Sequence, residues 1–189
     1  MQGFGPENPM ATDLIVRALN QRATIGIATM GTLALRCGLG LGGSTYMKRE
    51  GDGATPIGRW RVLHVLYRPD HLRGFYSSGM LRHAKPLRAD DGWCDASGHR
   101  NYNRPVRHPY PETAEVMWRD DHLYDVVVVL DHNQRPRAQG RGSAIFMHLA
   151  QLSNGGRIEP TAGCVSLARR DLAIVLKMIR PGAAVRVVV

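Results

Sequence analysis

A thiol and an imidazole stand at a spacing in this sequence that could support acyl transfer through a thioester. Cys164 follows a glycine, and His148 lies sixteen residues upstream. The thiolate is the nucleophilic form of cysteine, and a nearby imidazole raises its fraction by taking the thiol proton. These residue types predict Cys164 as a nucleophile and His148 as its general base and acid.

The residues around Cys164 suit that role. Gly163 lets the backbone approach a substrate carbonyl closely, so the amides of residues 162–164 could form an oxyanion hole. A helix beginning just after Leu167 would add a dipole that favours the thiolate. The alternative is a buried structural cysteine, which is a common state for a free thiol.

The elements that must position these residues are predicted to be short strands. Apolar segments typical of strands occur at residues 13–18, 23–29, 32–37, 59–67, 123–131, 143–149 and 183–189. The fifth of them contains four consecutive valines, which indicates a strand buried on both faces. Residues 171–179 have helical spacing, and a Pro-Gly pair ends that helix.

A long segment without periodicity interrupts this pattern. Residues 68–110 are rich in Pro, Gly, Asp, Arg and His, and an irregular segment of this length is usually a functional loop or lid. Residues 112–119 are predicted to form a short helix. We expect residues 1–11 to be a flexible N-terminal tail and residues 12–189 to be a single catalytic domain with this insertion, because no linker divides the chain.

The composition is that of a globular protein with a basic surface. Of 189 residues, 43 % are hydrophobic, and the formal net charge is +9. Such a surface attracts polyanions, but no Lys/Arg run exceeds two residues and no nucleic-acid reader motif is present. We therefore expect a preference for anionic substrates and no nucleic-acid partner.

Cysteine and histidine usage excludes further classes. Three cysteines without a CxxC cannot build a disulfide framework, although one pair could be bridged. The eight histidines are scattered, with no i, i+4 pair, so neither a metal nor a cofactor is expected. No stretch has the length of a membrane helix, and residues 1–9 lack the basic-then-apolar order of a secretion signal.

Two segments resemble a known family. His148, the spacing of sixteen residues and the run Thr-Ala-Gly-Cys-Val-Ser-Leu at 161–167 resemble the motif of YkuD-type L,D-transpeptidases, in which a His precedes Ser/Thr-x-Gly-Cys-x-Arg/Asn. Residues 53–58, Gly-Ala-Thr-Pro-Ile-Gly, resemble the Thr-Pro-x-Gly turn that the family carries earlier in the domain. The resemblance runs from about residue 25 to the C-terminus. The segments at 91–95, 102–105 and 123–125 resemble the proteobacterial branch of the family, which has a long insertion.

The resemblance implies a mainly β fold, with a sandwich-like or barrel-like core that holds the cysteine at a strand–helix junction. It also implies action on peptidoglycan stem peptides, as donor and as acceptor. Cys164 would attack the carbonyl after an L-centre of the donor and expel a terminal D-residue, and an acceptor amine or water would resolve the thioester. It further implies possible acylation of the thiol by a carbapenem and, because the substrate is the wall, a periplasmic location.

Roles for neighbouring residues follow from the same resemblance. The backbone carbonyl of Leu149 would orient the ring of His148, and the amides of Ala162, Gly163 and Cys164 would hold the oxyanion.

The sequence departs from the family motif at two positions. Ser166 stands where Arg or Asn is usual, and Ala162 stands where His is frequent. The missing Arg affects substrate geometry more than nucleophilicity, and Arg104, Arg169 or Arg170 could replace its charge. Further substrate-binding candidates are Thr161, Ser166, Trp93 and Tyr124. Trp93 could instead anchor its loop, and Tyr124 could belong to the core.

Three functions remain open at this point. The first is an L,D-transpeptidase that cross-links peptidoglycan, either between diaminopimelate residues or from an L-alanyl carbonyl. The second is an L,D-carboxypeptidase-like hydrolase of stem peptides on the same scaffold. The third is a non-catalytic wall-binding module in which the cysteine is incidental.

Overall fold

The computed structural model describes residues 13–72 and 79–189. Their strands in chain order are β1 (Leu14–Ala18), β2 (Ile25–Met30), β3 (Leu33–Gly38), β4 (Ser44–Thr45), β5 (Thr55–Pro56), β6 (Gly58–Tyr67), β7 (Lys85–Pro86), β8 (Asp91–Cys94), β9 (Arg104–Arg107), β10 (Ala114–Val116), β11 (Val126–Leu130), β12 (Phe146–Leu149), β13 (Val165–Leu167) and β14 (Ala184–Val188). The helical elements are a 3-10 helix (Gly79–His83) and α1 (Arg169–Met178). The tail predicted at residues 1–11 lies outside the described residues.

The main sheet closes on itself. Its strands follow the order β11-β12-β13-β3-β2-β1-β14-β6-β7, and β11 also pairs with β6. Strand β6 is ten residues long, so its first half can pair with β14 and its second half with β11. The mainly β, barrel-like core predicted from the sequence is therefore confirmed.

Strand β11 explains the run of four valines. All five of its residues are buried. Val126 and Val128 face the main hydrophobic core, while Val127 and Val129 face a second cluster that also contains Cys164. Because successive side chains of a strand point to opposite faces, a strand between two apolar layers must be apolar at every position.

Helix α1 covers one side of the main core. Its buried residues Leu172, Val175 and Leu176 are spaced three and four apart, which places them on one face of the helix. The predicted helix at residues 171–179 is confirmed, with its start two residues earlier.

A second, smaller sheet stands beside the barrel. Its three strands are antiparallel in the order β10-β8-β9, with Trp93 opposite Glu115 on one side and opposite Pro105 on the other. Its central strand packs on the second hydrophobic cluster through Trp93.

Two predictions of local structure need correction. Residues 112–119 contain strand β10 and no helix, because pairing with β8 overrides the weak helical preference of this segment. The segment 68–110 is not irregular throughout, since it contains β7, β8, β9 and the 3-10 helix. Residues 73–78 of that segment lie outside the described residues.

No helix among the described residues is long and apolar enough to cross a bilayer.

The two-sided burial of β11 can be tested with a pair of valine substitutions. Val128 is 0 % exposed, whereas Val116 on β10 is 47 % exposed. We expect Val128→Ala to lower the free energy of unfolding by about 2–3 kcal/mol, because two buried carbon atoms are lost and a cavity remains. The matched change Val116→Ala should stay within about 0.5 kcal/mol of wild type. Urea unfolding of both variants measures this, and equal costs would contradict the layered core.

Candidate active site

Strand pairing places the thiol and the imidazole on the same side of the sheet, at the border of one cleft. Strands β12 and β13 run parallel, with His148 opposite Ser166. Residues two apart on a strand share a face, so Cys164, just before β13, lies on the same face as Ser166 and therefore on the side of His148. The amide of Phe146 confirms the proximity of Cys164 to β12, because it donates to the Cys164 Sγ at 3.3 Å.

The His148 ring is held in one tautomer. Its Nδ1 lies 2.8 Å from the carbonyl oxygen of Leu149. A carbonyl only accepts, so Nδ1 carries the proton and Nε2 remains an acceptor. The side chain is 6 % exposed and the Tyr124 ring packs on it at 5.3 Å. Burial lowers the pKa of His148 to about 4, against the opposing effect of the Leu149 carbonyl, so the ring is neutral near pH 7.

The Cys164 side chain is a neutral thiol at rest. It is 7 % exposed and donates to the Ala144 carbonyl at 3.3 Å. Burial raises the pKa of Cys164 to about 12, and the charge of Glu115 adds to the rise. The Phe146 amide and the Lys48 charge act in the opposite direction. The sulfur nevertheless borders a cleft, together with His148.

The helix dipole expected to favour the thiolate is too distant. Helix α1 begins at Arg169, as predicted, but β13 lies between it and Cys164. Four extended residues span roughly 13 Å. The effect of a helix terminus falls off within its first turn, so this expectation is wrong.

The loop before Cys164 is held by its own side chain and by glycine. The Thr161 hydroxyl donates to the Cys164 carbonyl at 2.7 Å and accepts from the Gly163 amide at 3.1 Å. Gly163 has φ +134°, and a Cβ there would lie 3.0 Å from the Ala54 carbonyl oxygen. Only glycine fits this conformation without strain. The Gly163 amide, predicted to serve the oxyanion, is thus bound to Thr161 in this state.

A buried lysine that the sequence analysis overlooked stands behind the same loop. Lys48 is 6 % exposed and forms an ion pair with Asp52. Its Nζ lies 3.2 Å from the position that a Cβ on Gly163 would take. The spacing of four residues between Lys48 and Asp52, just ahead of the Thr-Pro turn, is a signal that could have pointed to it.

Asn103 supports the Cys164 thiol from a distance. It is 1 % exposed, and its Oδ1 accepts from the Trp93 indole at 2.9 Å and from the Ala144 amide at 3.1 Å. Ala144 has φ +51° and its carbonyl receives the Cys164 thiol. The small sheet and Cys164 are therefore connected through one amide side chain.

The predicted substrate-binding residues separate into two groups. Thr161 and Tyr124 line the cleft. Trp93, at 3 % exposure, packs edge-on against Phe146 at 5.1 Å and lies outside the lining, which is the position of an anchor. Ser166 is fully buried.

The arginines named as replacements for the missing charge lie elsewhere. Arg104 is exposed on β9, and Arg170 is exposed on α1. Arg169 is paired with Asp125 at a second groove. None of the three lines the cleft that contains Cys164.

The cleft itself has a volume of about 370 Å³. Its border includes the exposed Ala162 of the nucleophile loop. It also includes charged side chains that sequence reasoning missed, namely Glu50, Asp95, Glu115, Arg119 and Glu159. No local pattern could have grouped them, because they come from separate parts of the chain.

One group of potential metal ligands exists among the described residues. Ligand atoms of His71, His122 and Asp125 lie within 4.8 Å of one another. Asp125 is already bound by His71 Nδ1 at 2.6 Å and by the guanidinium of Arg169. A cation would compete with that guanidinium, so we interpret the group as an ion-pair network that fixes the start of α1. The cysteines Cys37, Cys94 and Cys164 are free thiols.

Comparison with known proteins agrees with this geometry. No curated protein and no solved structure matches the chain. The family model for the YkuD L,D-transpeptidase catalytic domain matches residues 15–189, which include both β12 and β13. The chain therefore belongs to the YkuD family of L,D-transpeptidase catalytic domains.

Proposed function

We propose that the protein is a peptidoglycan L,D-transpeptidase that works through a thioester on Cys164. The single observation that carries the proposal is the tautomer of His148. Its Nδ1–H is donated to the Leu149 carbonyl at 2.8 Å, which leaves Nε2 as a base in the cleft that also holds the thiol. Family membership supports the reaction class.

In the first half-reaction, the substrate binds while the Cys164 thiol and the His148 imidazole are both neutral. His148 Nε2 takes the thiol proton while the Cys164 sulfur attacks the carbonyl carbon after the L-centre of a donor stem. The carbon–nitrogen bond then breaks, and the imidazolium gives its proton to the departing amine of the D-residue. The product of this half-reaction is a thioester with both side chains neutral again.

In the second half-reaction, an amine of an acceptor stem attacks the thioester carbon. His148 takes the amine proton, the carbon–sulfur bond breaks, and the thiolate recovers that proton from the imidazolium. Water in place of the amine would give hydrolysis. A wall substrate would place the protein in the periplasm.

The negative charge that develops on the substrate carbonyl oxygen must be stabilised by hydrogen-bond donors or cations near the loop 161–164. The amides of Ala162, Gly163 and Cys164 remain our candidates, although Gly163 must exchange its bond with Thr161 to contribute. Lys48 lies behind this loop, where its charge favours both the thiolate and an oxyanion.

Replacement of the nucleophile should abolish both covalent chemistry and turnover. We expect Cys164→Ala to form no adduct with a carbapenem and to lose at least about 1000-fold in activity on purified muropeptides, because the thioester cannot form. Cys94→Ala, at a buried thiol outside the cleft, is the matched control and should keep the adduct.

Intact-protein mass spectrometry reads the adduct, and separation of muropeptide products reads the reaction. Dimers indicate a transpeptidase, whereas shortened monomers alone indicate a hydrolase. Full activity of Cys164→Ala would reject the thioester mechanism.

The low pKa of His148 predicts the pH dependence of acylation. The ring must be neutral to take the thiol proton, and burial keeps it neutral at pH values where a solvated histidine is protonated. We expect the rate of carbapenem acylation to persist as the pH falls from about 7 to about 5, and to decline with an apparent pKa near 4. Stopped-flow fluorescence measures this rate, with circular dichroism as the check on folding. An acid limb near the ordinary histidine pKa would mean that the reactive ring is solvated.

The charge of Lys48 should matter for rate more than for binding. We expect Lys48→Met to slow acylation about ten-fold, less than the loss of a direct oxyanion donor, because Lys48 stands behind the loop. Asp52→Asn breaks the same ion pair but leaves the cation, so it should not slow acylation. Equal losses in both variants would indicate that only the ion pair, and not the lysine charge, supports the loop.

A further inference from the structure

We propose that Asp95, Glu115 and the hydroxyl of Ser143 form a subsite for a primary ammonium group of the stem peptide. All three side chains line the cleft that contains Cys164. The inference rests on the proposed function, since it names a substrate group that the same cleft would recognise.

The register of the small sheet places both carboxylates on the side of the nucleophile. Glu115 lies opposite Trp93, and the amide of Asp95 donates to the Thr113 carbonyl at 3.3 Å. Side chains two apart on a strand share a face, so Asp95 points to the same side as Trp93 and Glu115. Trp93 packs in one cluster with Cys164, so this face of the small sheet is turned toward the layer that contains Cys164.

The cleft is acidic although the protein is basic. Four carboxylates border it, from Glu50, Asp95, Glu115 and Glu159, and Arg119 is the one cationic side chain that the described residues contribute to its border. The chain as a whole carries +9. A concentration of negative charge against the sign of the surrounding surface attracts a cation, and it disfavours a substrate carboxylate at the same place.

The protein leaves some acceptor positions of these polar groups unused. Glu115 receives the Tyr124 hydroxyl, but a carboxylate offers about four acceptor positions. The closer contacts of Arg119 go to Asp121, and its Nη1 stays 3.7 Å from Glu115.

Two buried atoms of the cleft residues have no hydrogen-bond partner in the described part of the chain, Asp95 Oδ1 and Ser143 Oγ. The Ser143 side chain is only 7 % exposed. An unpartnered polar group at this depth costs free energy unless a ligand binds it.

An ammonium group matches this arrangement. It offers three donors and no acceptor, and the side chains of Asp95, Glu115 and Ser143 can all accept. Burial raises the pKa of Glu115 against the opposing effects of the Tyr124 hydroxyl and the Arg119 charge, and the charge of Asp95 adds a smaller rise. A cation between the two carboxylates would relieve their repulsion.

Stem peptides can bring a primary amine to the site from two sources. One is the side-chain amine of the donor, and the other is the amine of the acceptor before it attacks the thioester. The chemistry recognised is the same, so the two half-reactions must be measured separately.

The test compares wild type with Asp95→Asn/Glu115→Gln, which removes the charges and keeps the shapes. Glu112→Gln, an exposed carboxylate of the same segment outside the cleft, is the matched control. In the first arm, a stem tetrapeptide with a free side-chain amine, or with that amine acetylated, acylates the protein without acceptor. In the second arm, an acceptor amine consumes the preformed thioester. Mass spectrometry follows both rates.

We expect the double variant to lose about ten-fold or more in one arm, because a charge-assisted hydrogen bond is lost. Loss in the first arm assigns the ammonium to the donor, and acetylation should then slow wild type but not the variant. Loss in the second arm, as a higher KM for the acceptor, assigns it to the acceptor. Glu112→Gln should match wild type in both arms, and circular dichroism of the double variant checks that its fold is intact. If the double variant does not fold, Asp95→Asn alone is measured in the same way.

Rates within two-fold of wild type in both arms would overturn the subsite while leaving the proposed function in place. An acetylation effect of equal size in wild type and variant would do the same. Wild-type protein that forms no thioester with either peptide would contradict the proposed function itself, and the subsite would fall with it.

Discussion

The site depends on the parallel pairing of β12 with β13. Parallel neighbours cannot be joined by a tight turn, and they need a crossover of about a dozen residues or more. Residues 150–164 supply it, with a small antiparallel bridge between Leu152 and Ile158. The spacing of sixteen residues between His148 and Cys164 is therefore the length of a crossover. A slip of one residue in this register would turn the thiol to the opposite face of the sheet.

The same pairing buries both reactive groups. Strand β12 places its alternate residues in two apolar layers, so the imidazole and the thiol lose water together. Burial disfavours the charged form of each, which lowers the pKa of His148 and raises that of Cys164. A preformed ion pair is thus not the resting state. Under the proposed function, proton transfer would therefore accompany attack, and the Lys48 charge and the Phe146 amide would stabilise the sulfur at that moment.

Periodicity in the sequence predicted the elements whose faces are set by burial. Strand β6, the valines of β11 and helix α1 all have patterns that a single apolar layer or pair of layers imposes. The same reasoning wrongly predicted a helix at residues 112–119, because β10 is short and half-buried and forms through its pairing with β8. The motif predicts Cys164 and His148 as the catalytic pair, and Thr161 and Tyr124 were also expected near them, but the charged side chains around the pair could not be predicted. Lys48, Asp95 and Glu115 come near Cys164 only after the small sheet and the Thr-Pro turn have docked, and no local sequence pattern predicts their proximity.

The net charge of the chain does not describe the charges that border the cleft. The formal net charge of +9 describes the electrostatic field far from the surface, where the contributions of single charges are averaged. Within a cleft of about 370 Å³, the nearest side chains dominate, because salt screens exposed charges beyond about 8 Å. A basic surface can therefore attract an anionic polymer while the cleft accepts a cationic group of it. Under the proposed function the two fields act in sequence, the first on the encounter with the wall and the second on the placement of one amine beside Cys164.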